Sequence, residues 1–435
     1  MSRLLFDFPP RPGASPVRRI FRDPVEVVRA IKLEEVEPAL TRIEHAVLED
    51  GLSAAGYLAY EAAPAFDPAF RVRGGARGPL LWFGVYRGPG EPTVSPLPAS
   101  PEASIHPGGP GGSEGPCDPL ESWTLDVSPE DFAARVSAIR RAIEAGETYQ
   151  VNLTARMRAL SKGAHAAGRP GGQPEGFDFD GSAACRRLYD RLRRSQGDGY
   201  HALLELDHQT VVSASPELFF QIRGREVTVR PMKGTRPRGR WLEEDEALAR
   251  ELRDSEKEQA ENRMIVDLLR NDLGRVAAIG SVRVPRVFDV ERYRTVLQMT
   301  STVTGTLPRG AGFVDVLRAL FPSGSVTGAP KIRTMKLIAE LESSPREVYC
   351  GAIGYVEGGS GDAVFNVPIR TLRIDRRART AVYGTGSGIT WGSTAAEEYD
   401  EIRAKARILT ERWPEFDLLE TLRLERGRYR RLERH

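Results

Sequence analysis

Hydrophobic positions along this chain switch between two periods. Apolar residues at helical spacing run through 24–50 (VEVVRAIKLEEVEPALTRIEHAVLED), where Pro38 is placed to start a new helical segment. GYLAYE and PLLWFGVYRG, rich in aromatic and aliphatic residues and bounded by Gly and Pro, predict strands, so 17–86 reads as a compact half-domain. From Ser128 a longer unit begins. Ser128 and Pro129 are placed as N-cap and first residue of a helix that Gly146 ends, and YQVNLTARMRA follows as a strand. HALLELDHQTVVSASPELFFQIRGREVTVRP predicts a strand meander, and 242–273 one long helix stopped by Gly274. Two more strands, helices at 312–320 and 330–341, a strand cluster at 348–390 and a helix at 394–412 complete the pattern. Runs of strands broken by single helices predict an α+β fold with large, mainly antiparallel sheets.

Two stretches lack this patterning. Residues 87–119 and 161–181 are rich in Gly, Pro and Ser or otherwise polar, and too poor in apolar surface to fold alone. The chain therefore divides into an N-terminal region, 1–86; a linker or surface loop, 87–119; a main region, 120–412, with a flexible insert at about 161–181; and a tail, 413–435.

Composition removes several function classes. The 435 residues carry 62 Lys+Arg against 60 Asp+Glu, a formal net charge of +2, which argues against a basic nucleic-acid binder. A non-enzymatic Arg-rich binding protein is the remote alternative. No apolar run approaches the roughly 18 residues of a membrane span, and the three cysteines form no disulfide or metal pattern. These features predict a soluble, cytoplasmic protein with neither a nucleic-acid nor a membrane partner. Arginine so outnumbers lysine that the seven lysines are each worth locating.

Carboxylates fall on apolar helix faces at two places. On 242–273 the stripe of Met264, Ile265, Leu268 and Leu269 projects back onto Glu261, with Lys257 and Glu258 one turn earlier. On the last helix Glu398 and Lys405 lie on the line of Ile402 and Leu409, with Glu401 at its edge. Buried carboxylates need cations. The pattern fits i,i+4 salt bridges of Lys257 with Glu261 and of Lys405 with Glu401. It fits equally a hard divalent cation on oxygen ligands, since no His or Cys is near.

SASPELF at 213–219, RPMKGTRPRG at 230–239, EKEQAENRMIVDLLRNDLGR at 256–275 and FPSGSVTGAPK at 321–331 resemble the chorismate-utilising enzyme family. YCGAIGY, IRTLRI, GSGIT and the E-x-x-E-x-x-x-K of 398–405 extend the resemblance over roughly 128–412. It implies packed antiparallel sheets, arranged as a sandwich with outer helices, and a Mg²⁺-dependent chorismate site. Lys233, in Pro-Met-Lys-Gly-Thr, resembles the branch that adds an amine to chorismate and keeps its enolpyruvyl group. The pyruvate-eliminating branch, with alanine there, is the alternative. Gln150 stands where the water-adding branches have a lysine base, and Gln298 where a histidine is common.

The resemblance further implies roles. Lys233 would be the nucleophile and Glu217 the general acid. Glu261 and Glu401 would be direct Mg²⁺ ligands, with Glu258 and Glu398 direct or through water. Thr235, Tyr355, Arg370, Lys405 and the backbone of Gly386, Ser387 and Gly388 would hold the substrate. Without a visible Cys-His-Glu glutaminase set, ammonia is expected from a separate glutamine amidotransferase subunit.

Overall fold

The structure, a computed structural model, describes residues 2–93, 123–160, 181–293 and 296–409, and the backbone of 420–425 and 428–434. The 413–435 tail and the cores of both Gly/Pro-rich segments thus fall largely outside the described side chains.

Two ten-stranded sheets dominate, and every pairing between their strands is antiparallel. The first runs, in space, Gly328–Ala329, Gln150–Leu160, Thr380–Ile389, Thr371–Asp375, Gln209–Ser215, Tyr200–Glu205, Arg3–Phe8, Val17–Arg22 and Glu91–Thr93, with Trp123–Leu125 also paired to Gln150–Leu160. The second runs Met232–Pro237, Val296–Thr306, Glu226–Arg230, Leu218–Arg223, Ala363–Asn366, Ala352–Val356, Ser53–Leu58, Leu81–Tyr86 and Glu26–Ala30, with Arg283–Arg292 also paired to Val296–Thr306. Strands from 1–86 enter both sheets.

An aromatic layer joins the sheets. Phe6, Phe8 and Phe21 from the first meet Tyr57, Tyr86, Tyr355 and Val364 from the second. Helices close the outer faces. Against the second sheet lie α1 (Val36–Leu48), α5 (Glu256–Gly274) and α6 (Phe313–Leu320). Against the first lie α2 (Pro129–Glu144), α3 (Gly181–Gln196), α7 (Lys331–Leu341) and α8 (Ala395–Ala406). The remaining helix, α4 (Leu242–Asp254), packs on the Met232–Pro237 and Val296–Thr306 strands. This is the α+β sandwich with outer helices that the sequence implies.

Local outcomes follow from capping and pairing. Ser128 caps α2, its Oγ accepting from the Asp131 N–H at 3.1 Å. The long helix expected at 242–273 is two: Ser255 leaves helical geometry and caps α5, so Glu258 lies in that helix's first turn. Residues 26–30, expected to be helical, form an edge strand against Leu81–Tyr86, as β-branched Val27 and Val28 favour. The expected 201–230 meander is split between the sheets. Its chain crosses from one to the other at Pro216–Glu217, and 367–370 makes the return crossing alongside, with Val367 N–H donating to the Glu217 carbonyl at 3.1 Å and Ala214 N–H to the Arg370 carbonyl at 3.1 Å.

Candidate active site

The crossover fixes Glu217. The Ser215 hydroxyl donates to the Val367 carbonyl at 2.6 Å and accepts from the Glu217 N–H at 3.1 Å. The Glu217 side chain is buried, 4 % exposed, and burial raises its pKa to about 7 against the opposing pull of a Ser325 hydrogen bond and the Lys233 charge. Such a carboxyl holds a proton near neutrality and can donate it.

Lys233 lies on the edge strand Met232–Pro237. Burial lowers the pKa of its amine, while Glu261 and Glu217 raise it, Lys405 lowers it and Glu401 raises it. Those opposing fields place side chains from α5, the crossover and α8 around one ammonium. Gly388 marks where they converge with the first sheet: a Cβ there would lie 2.3 Å from Gln150 Nε2 and 3.5 Å from Lys233 Nζ. The missing side chain lets Gln150 and Lys233 lie close over the strand there. Gln150 itself is buried and its Oε1 has no hydrogen-bond partner.

The Gly-Ser-Gly segment is positioned by pairing. Thr380–Ile389 keeps Gln150–Leu160 on one side throughout, but Thr371–Asp375 pairs only with residues 380–383 on the other. Along 384–389 that second edge carries no strand, which leaves backbone groups for a ligand. Lys405 reaches it, donating from Nζ to the Gly386 carbonyl at 2.9 Å. Ser387 is wholly buried and its hydroxyl is unpartnered. On the same strand Gly384 is covered by Tyr349, whose Cγ would lie 2.3 Å from a Cβ there.

The four glutamates are unequal. Glu401 pairs with Lys405 at 2.6 Å, the i,i+4 bridge expected as one reading, and Glu258 pairs with Arg236 at 3.4 Å. Glu261 is raised in pKa by burial and by the like charges of Glu258 and Glu398, against the Lys233 and Lys257 charges. Glu398 is 8 % exposed, and its Oε2 has no partner. Among the described residues no three His, Cys, Asp or Glu side chains close into a metal-holding group. The all-oxygen donors and the orphaned Glu398 oxygen nevertheless suit Mg²⁺, which takes one or two carboxylates and completes its shell with water and substrate.

One expected substrate contact sits elsewhere. Tyr355 is enclosed in the inter-sheet aromatic layer by Phe6, Phe8 and Phe21, with the Arg19 guanidinium 5.3 Å from its ring centre. This corrects the expected carboxylate contact, because the ring's face of its strand is turned into the core. Arg370 has a positive φ of 51° and hydrogen-bonds Gln196 at the end of α3. Burial lowers its pKa, and among the described residues no carboxylate forms an ion pair with it. Thr235 donates to Gln298 Oε1 at 2.8 Å. Ser325, which bonds Glu217, was not singled out by sequence; its one signal is its place in FPSGSVTGAPK. Lys331, without an expected role, is a buried tie from α7 to Asp272 of α5 at 2.7 Å.

Known proteins resemble this chain in sequence and in fold. Aminodeoxychorismate synthase component 1 of Klebsiella aerogenes is 40% identical over 294 residues, 66% of this chain and 59% of that protein. Anthranilate synthase component 1 of Streptomyces coelicolor is also 40% identical, over 291 residues, 66% of this chain and 52% of that protein. The matched region thus spans a little over half the length of these relatives. The solved structure of anthranilate synthase component I from Streptococcus pneumoniae TIGR4 superposes with a TM-score of 0.67 at 27% identity, covering 94% of this chain and 90% of that one. Residues 11–411 match the chorismate binding enzyme family, and the chain belongs to it.

Proposed function

We propose that this chain is an aminodeoxychorismate synthase component 1, converting chorismate and ammonia to 4-amino-4-deoxychorismate for p-aminobenzoate and folate synthesis in the cytoplasm. The observation that carries the reading is Lys233. It is a buried amine of lowered pKa, acted on by the raised-pKa carboxyl Glu217 and lying close over the glycine backbone at Gly388.

In this reading the neutral Lys233 amine forms a bond to C2 of chorismate. Both ring double bonds shift, C1=C2 to C1=C6 and C5=C6 to C4=C5, the C4–O bond breaks, and Glu217 supplies the proton with which the hydroxyl leaves as water. Ammonia then adds at C4, both double bonds shift back, and the C2–N bond breaks to release Lys233. Glu261 and Glu398 would hold Mg²⁺, with Glu401 and Glu258 joining directly or through water after parting from Lys405 and Arg236. Bound there, the ion supplies charge neutralisation for a substrate carboxylate. Lys405, Thr235, Arg370 and the 386–388 backbone would orient the substrate. Ammonia would come from a separate glutamine amidotransferase subunit. Gln150 cannot serve as the base that adds water.

Anthranilate synthase component 1 is the second reading, favoured by relatives of equal identity. A covalent test bears on the first. Incubated with chorismate and Mg²⁺ without ammonia, then quenched and digested, the protein should carry chorismate less water on the Lys233 peptide. A Lys233→Ala variant should not, and full amination by that variant would overturn the nucleophile assignment.

A further inference from the structure

Gln298 lies on Val296–Thr306, across from Thr235 in the sheet register. Lys233 faces Met299 and Thr235 faces Gln298, so the register slips between them and Gly234 is the extra residue. Bulges of this kind interrupt the ladder and re-aim the neighbouring side chain. Gly234 has a φ of +73°, in the left-handed region. Its carbonyl is taken by Gln298, which donates from Nε2 at 2.7 Å. The other end of the same amide accepts from Thr235 Oγ1 at 2.8 Å. Gln298 is 9 % exposed, so both polar ends of a buried amide are spent on the two residues that follow Lys233. On the far side the space is closed by Glu258, whose Oε2 would lie 2.8 Å from a Cβ at Gly234.

We propose that Gln298 is a positioning residue for amination: it clamps the Gly234 bulge and thereby holds Lys233 Nζ in place over Gly388. Its part is played through the backbone of the bulge, since its amide is spent on Gly234 and Thr235. The inference rests on the assigned role of Lys233. An uncharged group that both donates and accepts suits the position. An apolar residue loses both bonds, and a carboxylate loses the one to Gly234.

A double-mutant cycle tests this with the full-length protein, chorismate, Mg²⁺ and ammonium. Gln298→Met should lower kcat for amination roughly tenfold or more, as misplacement of a reacting group does, with KM for chorismate unchanged. In a Lys233→Ala background the same substitution should change the residual kcat little. An equal loss in both backgrounds, or no loss with Lys233 present, overturns the clamp. Lys233→Ala retaining full kcat overturns the nucleophile and the clamp together, and that result is read from the single variant alone. Gln298→Glu, of the same size and still accepting from Thr235, carries the same comparison should the methionine variant not fold.

Discussion

Glu217 and Lys233 show how burial sets the working state of single residues. The folded pKa of Glu217 lies at about 7, above the ordinary carboxylate value of 4.5. The folded chain therefore binds the extra proton between those values. This contribution to stability is complete below pH 4.5 and is lost as pH rises through 7. Glu217→Gln should remove that slope and, at pH 8, exceed the parent in stability by roughly 1–3 kcal/mol. Urea unfolding at pH 5 and pH 8 measures it; equal slopes for the two proteins would contradict the assigned pKa. Amination by the parent should decline above about pH 7 as the same proton is lost. Both residues were singled out in the sequence because SASPELF and RPMKGTRPRG, which carry them, resemble the family's motifs. Tyr355 was misread for a physical reason. A motif gives a residue's place along a strand, whereas the face it presents depends on pairing with Ser53–Leu58 and Ala363–Asn366.

At the scale of elements, caps and bulges decide where these side chains point. Ser255 separates α4 from α5 and accepts from the Glu258 N–H at 3.4 Å. Ser255→Ala should cost about 1 kcal/mol, read by thermal or urea unfolding, with loss confined to stability if Glu261 keeps its place. Gly234→Ala meets both an unfavourable φ and the Glu258 carboxylate. It should destabilise by about 1 kcal/mol or more and depress amination beyond that loss, whereas an unchanged kcat would show that the bulge does not steer Lys233. Period-based reading found most helices and strands but not α3. That helix buries Ala184, Cys185, Leu188, Tyr189 and Leu192 among arginines, so its apolar stripe is thin and follows a polar insert. The split at Ser255 was hidden too, since helical spacing on either side continues without a proline or glycine.

At the scale of the molecule, the site depends on contacts far apart in sequence. Glu342 accepts from the Thr154 hydroxyl at 2.7 Å and from Arg346 at 2.6 Å, with Arg156 at 3.4 Å. Arg346 also donates to the carbonyls of Val326 at 2.6 Å and Asn152 at 2.7 Å, and Glu61 accepts its backbone N–H at 2.7 Å. This buried network ties the N-terminal region to the turn that carries Ser325. Arg346→Ala, which removes the nearer of the two buried arginines that pair with Glu342, should destabilise by about 3 kcal/mol or more, seen as a lowered urea midpoint; a change under 1 kcal/mol would mean the network is not a structural tie. The fold class and the antiparallel sheets were legible from runs of strands. The paired crossovers at 216–217 and 367–370 were not, because local periodicity carries no information on which sheet a strand joins. The central claim, that chorismate is aminated at C4 with its enolpyruvyl group retained, is tested most directly by the product. Chromatography and mass spectrometry of the full-length protein's reaction with chorismate, Mg²⁺ and ammonium should yield 4-amino-4-deoxychorismate without pyruvate, and anthranilate with pyruvate as the main products would contradict it.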